Sequence, residues 1–258
     1  MPSIRRLALP LVLATLAGAP AALANSVVGL ADGTTLVTFD PASLKATGVA
    51  EITGAGPLVG IDVRPADGKL YGVGMDGQVY TLDPASGAAT AAVKLQTMLP
   101  AGVVATIDFN PVADRLRLIG SDGTNLRANL ADGAVTVDGA LAYAEGDMHR
   151  GEMPNIVAGA YTNSVAGTKE TALYDLDATI DALVKQAPPN DGVLNAIGKL
   201  GVAAEGAAFD IATDAEGRNW AWLVAGGVLH ALDLATGMAT VVGPIEGLPA
   251  ISDMAVLP

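Results

Sequence analysis

Hydrophobic residues in this chain occur in short runs that are separated by polar pairs such as Asp-Gly, Gly-Gly and Asp-Pro. Short runs rich in Val, Leu, Thr and Ala between such turn signals predict strands joined by tight turns. The 31 glycines and 15 prolines agree with frequent turns. One stretch, residues 176–186 (LDATIDALVKQ), has helical spacing, and Pro188 and Pro189 would end a helix there. The pattern elsewhere predicts an all-β fold.

The chain contains an internal repeat. Residues 61–87 (IDVRPADGKLYGVGMDGQVYTLDPASG) align without a gap on residues 107–133 (IDFNPVADRLRLIGSDGTNLRANLADG), and nine of 27 aligned positions are identical. Looser copies occur at 208–237 and in an enlarged unit that begins near residue 159 and includes LYDLDATID. The period of roughly 40 to 55 residues is that of one four-stranded blade of a β-propeller.

The two ends of the chain carry complementary halves of one further unit. LVTFDPASL (36–44) matches the closing part of the first repeat, while ISDMAVLP (251–258) resembles its opening strand. A C-terminal strand that pairs with an N-terminal partial blade closes a propeller and removes its free sheet edges. The sequence therefore predicts a β-propeller of five four-stranded blades, one of them composite. Six blades are the alternative if region 134–206 holds two.

The first 24 residues have the order of a bacterial secretory signal peptide. Two arginines precede an apolar run, and Ala22-Leu23-Ala24 forms a cleavage site. We therefore expect residues 1–24 to be removed, residues 25–258 to form a single propeller domain, and the protein to be periplasmic or secreted. The lack of cysteine fits an exported protein without disulfides or thiol chemistry. No later run is long enough to predict a membrane span.

Charge narrows the classes of partner. The formal net charge is −13 for the whole chain, and it becomes −15 when Arg5 and Arg6 leave with the signal peptide. Such a surface repels nucleic acid and anionic lipid, so neither is expected as a partner. It weakly favours cationic ligands and divalent cations. The expected partner is a small molecule or an extracytoplasmic protein of unknown identity.

The second repeat unit holds three arginines in this acidic chain. Side chains alternate along a strand, so Arg115 and Arg117 share one face, and Asn125 and Arg127 share one face of the next strand. A three-residue hairpin loop would align Arg117 with Arg127, whereas a two-residue turn would set Arg117 against Ala128. The sequence leaves both registers open.

These arginines have two interpretations. Buried between blades, they must pair with carboxylates, for which Asp108, Asp114 and the aspartates of LYDLD are candidates. Exposed, they could bind an anionic ligand through the bidentate geometry of guanidinium groups. The structural network is the favoured interpretation, and the anion site is the alternative.

This region also carries a family resemblance. NPVADRLRLIGSDGTNLR (110–127), LYDLDATID (173–181) and QAPPNDG (186–192) resemble the bacterial domain-of-unknown-function 4394 family, and the likeness covers nearly all of the mature chain. It implies a secreted or periplasmic propeller-like protein and brings no established activity. The positions that match the family's hallmark motifs are Asn110, Asp114, Arg115, Arg117, Asn125, Arg127, Asp175, Asp177, Asn190 and Asp191. From these, the predicted ligand-binding residues are Asn110, Asp114, Arg115, Arg117, Asn125 and Arg127.

Aspartates recur in the opening strands of the units, at about one per blade: Asp62, Asp108, Asp210 and Asp253. A repeating position favours a scaffold role, in which each carboxylate bonds the backbone of the neighbouring blade. A carboxylate ring around the central channel that binds a cation is the sharper alternative. No cofactor is expected on the first interpretation, and a divalent cation such as calcium is implied by the second. For a metal site, the sequence nominates Asp108, Asp175, Asp177 and Asn190.

Catalytic patterns are sparse. His149 and His230 are the only histidines, no G-x-S-x-G elbow is present, and cysteine nucleophiles are absent. The sequence therefore favours a non-catalytic extracytoplasmic binding or interaction module. The alternatives are a metal-dependent propeller hydrolase acting on a sugar lactone or a similar small substrate, and a purely structural envelope protein. Convergence of carboxylates from several blades on one open pocket would distinguish the hydrolase from a scaffold.

Overall fold

A computed structural model describes residues 26–258, so the expected signal peptide lies outside the described residues. Blade 1 begins with β1 (Val27–Ala31), β2 (Thr35–Asp40) and β3 (Lys45–Glu51). Blade 2 contains β4 (Leu58–Arg64), β5 (Lys69–Gly74), β6 (Gln78–Leu82) and β7 (Ala89–Lys94). Blade 3 contains β8 (Ala105–Asn110), β9 (Arg115–Gly120), β10 (Asn125–Ala128) and β11 (Val135–Val137).

The remaining strands complete the ring. Blade 4 contains β12 (Ala142–Tyr143), β13 (Ile156–Tyr161), β14 (Leu173–Asp177), β15 (Ala182–Gln186) and β16 (Val193–Lys199). Blade 5 contains β17 (Ala208–Thr213), β18 (Asn219–Ala225), β19 (Val228–Leu232) and β20 (Ala239–Pro244). The last strand, β21 (Asp253–Val256), returns to blade 1 and pairs antiparallel with β1. Five sheets with this order form the predicted five-bladed propeller with a composite blade.

Each blade presents one innermost strand to the central channel. β4, β8, β13, β17 and β21 contact one another in turn and form a closed ring. Region 134–206 holds the end of blade 3 and all of blade 4, which β12 widens to five strands by pairing parallel with β16. The six-bladed alternative is therefore wrong. Its apparent support was the length of this one enlarged unit.

The helix predicted at 176–186 is also wrong. These residues form the end of β14, a turn and β15, and the two strands pair antiparallel. Leu176, Leu183 and Val184 are all buried, because blade 4 is covered on both faces by its neighbours. A strand that is buried on both faces loses the simple alternation of apolar and polar residues, so its pattern resembles that of a helix. Asp181, with φ of +45°, makes the turn.

Hydrophobic clusters fill the spaces between successive blades. Trp222 belongs to the cluster between blades 5 and 1, which also includes Met254. Between blades 3 and 4 the cluster takes only Ile119 from blade 3, and polar side chains occupy the rest of that interface. No helix in residues 26–258 is long and apolar enough to cross a membrane.

Candidate functional site

Three aspartates meet in the central channel. Asp62, Asp108 and Asp210 lie on the innermost strands β4, β8 and β17, and each is less than one tenth exposed. One carboxylate oxygen of each residue lies within 4.8 Å of the corresponding oxygens of the other two. The innermost strands surround one axis, so side chains at equivalent positions lie at the same height in the channel. Three different blades therefore contribute one carboxylate each to this group.

The same aspartates join the blades. The Phe109 amide donates to Asp62 Oδ2 at 2.7 Å, and the Tyr161 amide donates to Asp108 Oδ1 at 3.3 Å, in each case from the next innermost strand. The Val256 amide donates to Asp210 Oδ2 at 2.7 Å. The scaffold role predicted from repetition is therefore present, and so is the convergence that distinguishes a channel site. Among the described residues, no hydrogen-bond donor contacts the second oxygen of Asp108.

Asp253 does not belong to this level. Asp62 bonds the residue that follows Asp108, whereas Asp210 bonds Val256, which is three residues after Asp253. Asp253 in turn accepts from the Ile61 amide at 2.8 Å, one residue before Asp62. Its strand is thus shifted by two residues along the channel. The sequence analysis aligned Asp253 with Asp62, whereas in the structure the residue of β21 that corresponds to Asp62 is Ala255.

Burial governs the protonation of these groups. It raises the pKa of Asp62 well above its ordinary value, and the charges of Asp210 and Asp253 raise the pKa further. Burial also raises the pKa of Asp108 well above its ordinary value, with Asp62 and Asp210 as additional causes. The pKa of Asp210 rises to about 6 through burial. Carboxylates in such surroundings are stabilised by a proton or by a cation.

A small pocket opens at one mouth of the channel. It has a volume of about 190 Å³ and lies where β4, β17 and β21 end, with residues 164–166 of blade 4 as a further wall. Asp62 and Asp210 belong to its lining and are its only ionisable side chains among the described residues. Val63, Val165 and Leu257 contribute apolar surface. The pocket is therefore acidic on one side and otherwise largely apolar.

The polar row of blade 3 consists of the predicted ligand-binding residues Asn110, Asp114, Arg115, Arg117, Asn125 and Arg127. Its Arg117 lies at the interface with blade 4. Arg117 is opposite Arg127 in the β9–β10 pairing, as a three-residue hairpin loop requires. Arg117 is 2% exposed, and its guanidinium donates to Asp138 at 2.6 Å, Asn125 at 2.8 Å and Asn190 at 2.7 Å. The carboxylate partner of Arg117 is thus Asp138. None of the carboxylates predicted from the sequence, which were Asp108, Asp114 and the aspartates of LYDLD, accepts a hydrogen bond from Arg117.

The other members of the row are also paired. Arg127, which is 31% exposed in its side chain, makes two hydrogen bonds to Asp138, each of 3.1 Å. Asp114 accepts two hydrogen bonds from Arg64 of blade 2, and these bonds, together with the charge of Arg64, lower the pKa of Asp114. Arg115 donates to backbone carbonyls of its own turn, and Asn110 accepts turn amides. The row has the geometry of an inter-blade network rather than of an open anion site.

The four residues nominated for a metal do not assemble. Asp108 belongs to the channel group, and the side-chain oxygen of Asn190 accepts from Arg117. Asp177 accepts from the Tyr143 hydroxyl and from two backbone amides. Asp175 is fully buried, and no hydrogen-bond partner for its carboxyl group is found among the described residues. Asp62 and Asp210 were not among the four residues nominated for a metal, although the alternative of a carboxylate ring around the channel included both.

The two histidines, His149 and His230, belong to local structure. His230 is buried, and its Nδ1 lies 3.0 Å from the Val228 carbonyl oxygen. In the loop before β13, His149 contacts Glu152 and Arg150 contacts Glu145. Asp147 of the same loop accepts the Ala196 amide at 2.7 Å. These acidic and imidazole groups hold the loop to itself and to blade 4.

The chain belongs to the family described as Domain of unknown function (DUF4394), whose profile matches residues 35–255. This agrees with the resemblance seen in the motifs. No curated protein matches the chain. The family membership fixes the relationship of the chain and leaves its activity open.

The chain is similar to several solved structures at low sequence identity. A structural genomics protein of unknown function from Bacteroides thetaiotaomicron VPI-5482 superposes with a TM-score of 0.53 at 16% identity, covering 92% of this chain and 65% of that one. A protein of unknown function from Bacteroides caccae gives a TM-score of 0.47 at 10% identity, covering 90% of this chain and 98% of that one. A luciferin-regenerating enzyme gives a TM-score of 0.46 at 12% identity, covering 85% of this chain and 76% of that one. At 16% identity the likeness to the Bacteroides thetaiotaomicron protein concerns the fold alone.

Proposed function

We propose that this propeller is a non-catalytic, extracytoplasmic binding module whose central channel holds a divalent cation, with calcium as the best candidate. The observation that carries the proposal is the convergence of Asp62, Asp108 and Asp210 from three blades. Calcium prefers oxygen ligands at 2.3–2.6 Å, so two oxygens on opposite sides of one ion are separated by about 4.6–5.2 Å. Three oxygens within 4.8 Å of one another can therefore share one ion.

The electrostatics support a cation in the same place. Three buried carboxylates repel one another, and among the described residues none of the three accepts a hydrogen bond from a Lys or Arg side chain. A divalent ion would offset most of that charge. Calcium takes six to eight ligands, so water or a bound molecule from the mouth pocket would complete its coordination. A site with three protein carboxylates suits the weak affinities of extracellular calcium modules, on the order of 10⁻⁴–10⁻³ M.

A metal-dependent hydrolase is the second candidate, because the carboxylates converge beside an open pocket. The lining of that pocket argues against it. Apart from the two aspartates, the described lining residues include no ionisable side chain that could act as a separate general acid or base. Turnover of simple esters and lactones by the calcium-loaded protein would favour the hydrolase over the binding module.

The proposed function is tested by thermal unfolding of residues 25–258 in EDTA and then with calcium, magnesium, manganese or zinc. A ligand at a hundredfold excess over its Kd adds about 2.7 kcal/mol of stability. For a domain of this size we expect a rise in Tm of roughly 5–10 °C with calcium. Asp108→Asn should abolish this rise.

Asp253→Asn is the matched control. Asp253 is equally buried and also bonds the next blade, but it lies outside the converging group. Its variant should keep the calcium response even if its own Tm is lower. Loss of the response in both variants, or no response in the unmodified protein, would contradict a site at Asp62, Asp108 and Asp210.

A further inference from the structure

The wall of the mouth pocket is held in place by a second set of contacts. Asn163 and Asn219 exchange hydrogen bonds of 2.8 and 2.9 Å between blades 4 and 5. The Ser164 amide donates to Thr213 Oγ1 at 2.9 Å, and that hydroxyl donates to Asn219 at 2.9 Å. Asn163 and Ser164 are therefore held against blade 5, and the Val165 amide donates to the Asn163 carbonyl at 2.7 Å, so this wall of the pocket is anchored at its start.

The size of the pocket limits its occupant. At roughly 30 Å³ of liquid volume per water molecule, about 190 Å³ has room for about six waters. Drug-sized ligands occupy pockets of about 300–1,000 Å³, so this pocket suits a much smaller molecule. Val63, Val165, Ile211 and Leu257 offer aliphatic surface, and the described lining contains no aromatic ring.

Charge limits the chemistry of the occupant. Three carboxylates around one divalent ion leave a formal charge of −1, and no Lys or Arg is among the described residues that line the pocket. An anionic ligand would meet this residual charge without a cationic partner, in a protein whose formal net charge is already −13. Hydroxyl and carbonyl oxygens are neutral ligands that calcium accepts. An ammonium group would instead compete with the ion for Asp62 and Asp210.

We propose that the mouth pocket binds a small, uncharged aliphatic molecule through vicinal hydroxyl or hydroxy-carbonyl oxygens that complete the coordination of the channel cation. This inference rests on the proposed function, because the oxygens of the ligand need the ion. The ligand's carbon chain lies against Val63, Val165 and Leu257, while its oxygens point toward Asp62 and Asp210.

Three four-carbon probes share an alkyl chain and differ in the charge and donor atoms of the head group, so they separate the alternatives: butane-1,2-diol, butyrate and butylamine. Binding is measured by calorimetry on residues 25–258, with saturating calcium and with EDTA, after calcium binding itself has been titrated. We expect the diol to bind at least tenfold more tightly than butyrate when calcium is present. In EDTA the affinity of the diol should fall at least tenfold. Ala166→Trp, which places a large side chain at the mouth, should weaken diol binding at least tenfold. Ala131→Trp, an exposed substitution in an outer turn of blade 3, should leave it unchanged.

The outcomes distinguish this inference from the proposed function. Calcium binding without preference for the diol would overturn the ligand class and leave the cation site standing. Diol binding that Ala166→Trp does not change would place the diol elsewhere and also overturn the inference. Absence of calcium binding would overturn both, as would tight binding of butylamine in EDTA, because the carboxylates would then be an ammonium site.

Discussion

At the scale of single residues, Arg117 shows how one substitution between repeats redefines an interface. In blade 2 the aligned residue is Tyr71, whose ring packs edge-on against Phe109 of blade 3 with centroids 5.4 Å apart. In blade 3 the equivalent contact is Arg117 Nε donating to the Tyr161 hydroxyl of blade 4 at 3.2 Å. An aromatic contact has become a hydrogen-bonded one, and Asp138 balances the new charge.

We expect Arg117→Met to lower the free energy of unfolding by about 3–5 kcal/mol, the usual effect of breaking a buried ion pair from one side. Asp138, Asn125 and Asn190 would each lose a partner. Arg115→Met is the control, since Arg115 bonds only the carbonyls of its own turn, and it should change stability by less than about 1 kcal/mol. Urea unfolding measures both. Equal effects of the two substitutions would refute a specific role for Arg117.

Asp175 is the opposite case, a buried carboxyl group that has no hydrogen-bond partner within residues 26–258. Burial raises its pKa to about 8, against the opposing charge of Arg117. Its Oδ1 occupies space beside Gly159, where an added Cβ would lie only 2.3 Å from that oxygen. The family motif contains this aspartate, and no sequence signal distinguishes it from Asp177, which is fully bonded.

Asp175→Asn should stabilise the protein, and more so at high pH. The folded-state pKa of about 8 exceeds the ordinary 3.8, so the contribution of Asp175 is intact below pH 4 and is lost as pH rises toward 8. The variant cannot ionise, so its advantage in urea unfolding should grow between pH 5 and pH 8 by more than about 1.4 kcal/mol. Asp177→Asn should instead destabilise at both pH values. A constant difference for Asp175→Asn would mean that its carboxyl group does not titrate in this window.

At the scale of elements, the sequence predicted what the repeat encodes and failed where units differ. Turn glycines such as Gly77 and Gly123 mark equivalent hairpins, so strand order and blade count followed from the alignment. Blade 4 lies outside that pattern, because β14 and β15 are buried on both faces and the apolar spacing of residues 176–186 resembles that of a helix. Asp138 was missed because it stands in the link between blades 3 and 4, which has no counterpart in the aligned units.

Closure by β21 makes the ring depend on a four-residue strand. Its pairing with β1 joins residues more than 200 positions apart, and Asp253 and Val256 also bond the neighbouring blades. Deleting residues 253–258 should lower the Tm by more than 10 °C, since it exposes the edge of β1 and opens the channel. A synthetic peptide, ISDMAVLP, should restore much of the loss by strand addition. A scrambled peptide of the same composition is the control, and a deletion without effect would contradict ring closure by β21.

At the scale of the whole molecule, the ring brings together charges that no local element could tolerate alone. Asp62, Asp108 and Asp210 are separated by long stretches of chain, and each is individually explained by its bond to the next blade. Their convergence follows only from five-bladed closure and from strand registers that place these three at one level and Asp253 at another. The repeat identified the aspartates, but it could not predict their heights along the channel axis, because these depend on how the strands of different blades are aligned with one another.

The cation-free protein should therefore lose stability as pH rises from about 4 to 7. The folded-state pKa of Asp210 is raised to about 6, and those of Asp62 and Asp108 are also raised, so these groups favour the folded state fully below pH 4 and progressively less above it. Calcium should reverse the loss at pH 7 and have little effect at pH 4.5, where protons already occupy the carboxylates. Urea unfolding at both pH values, with EDTA and with calcium, measures the four free energies. Asp210→Asn should reduce the decline in EDTA, and an equal calcium effect at both pH values would exclude the channel carboxylates as its binding site.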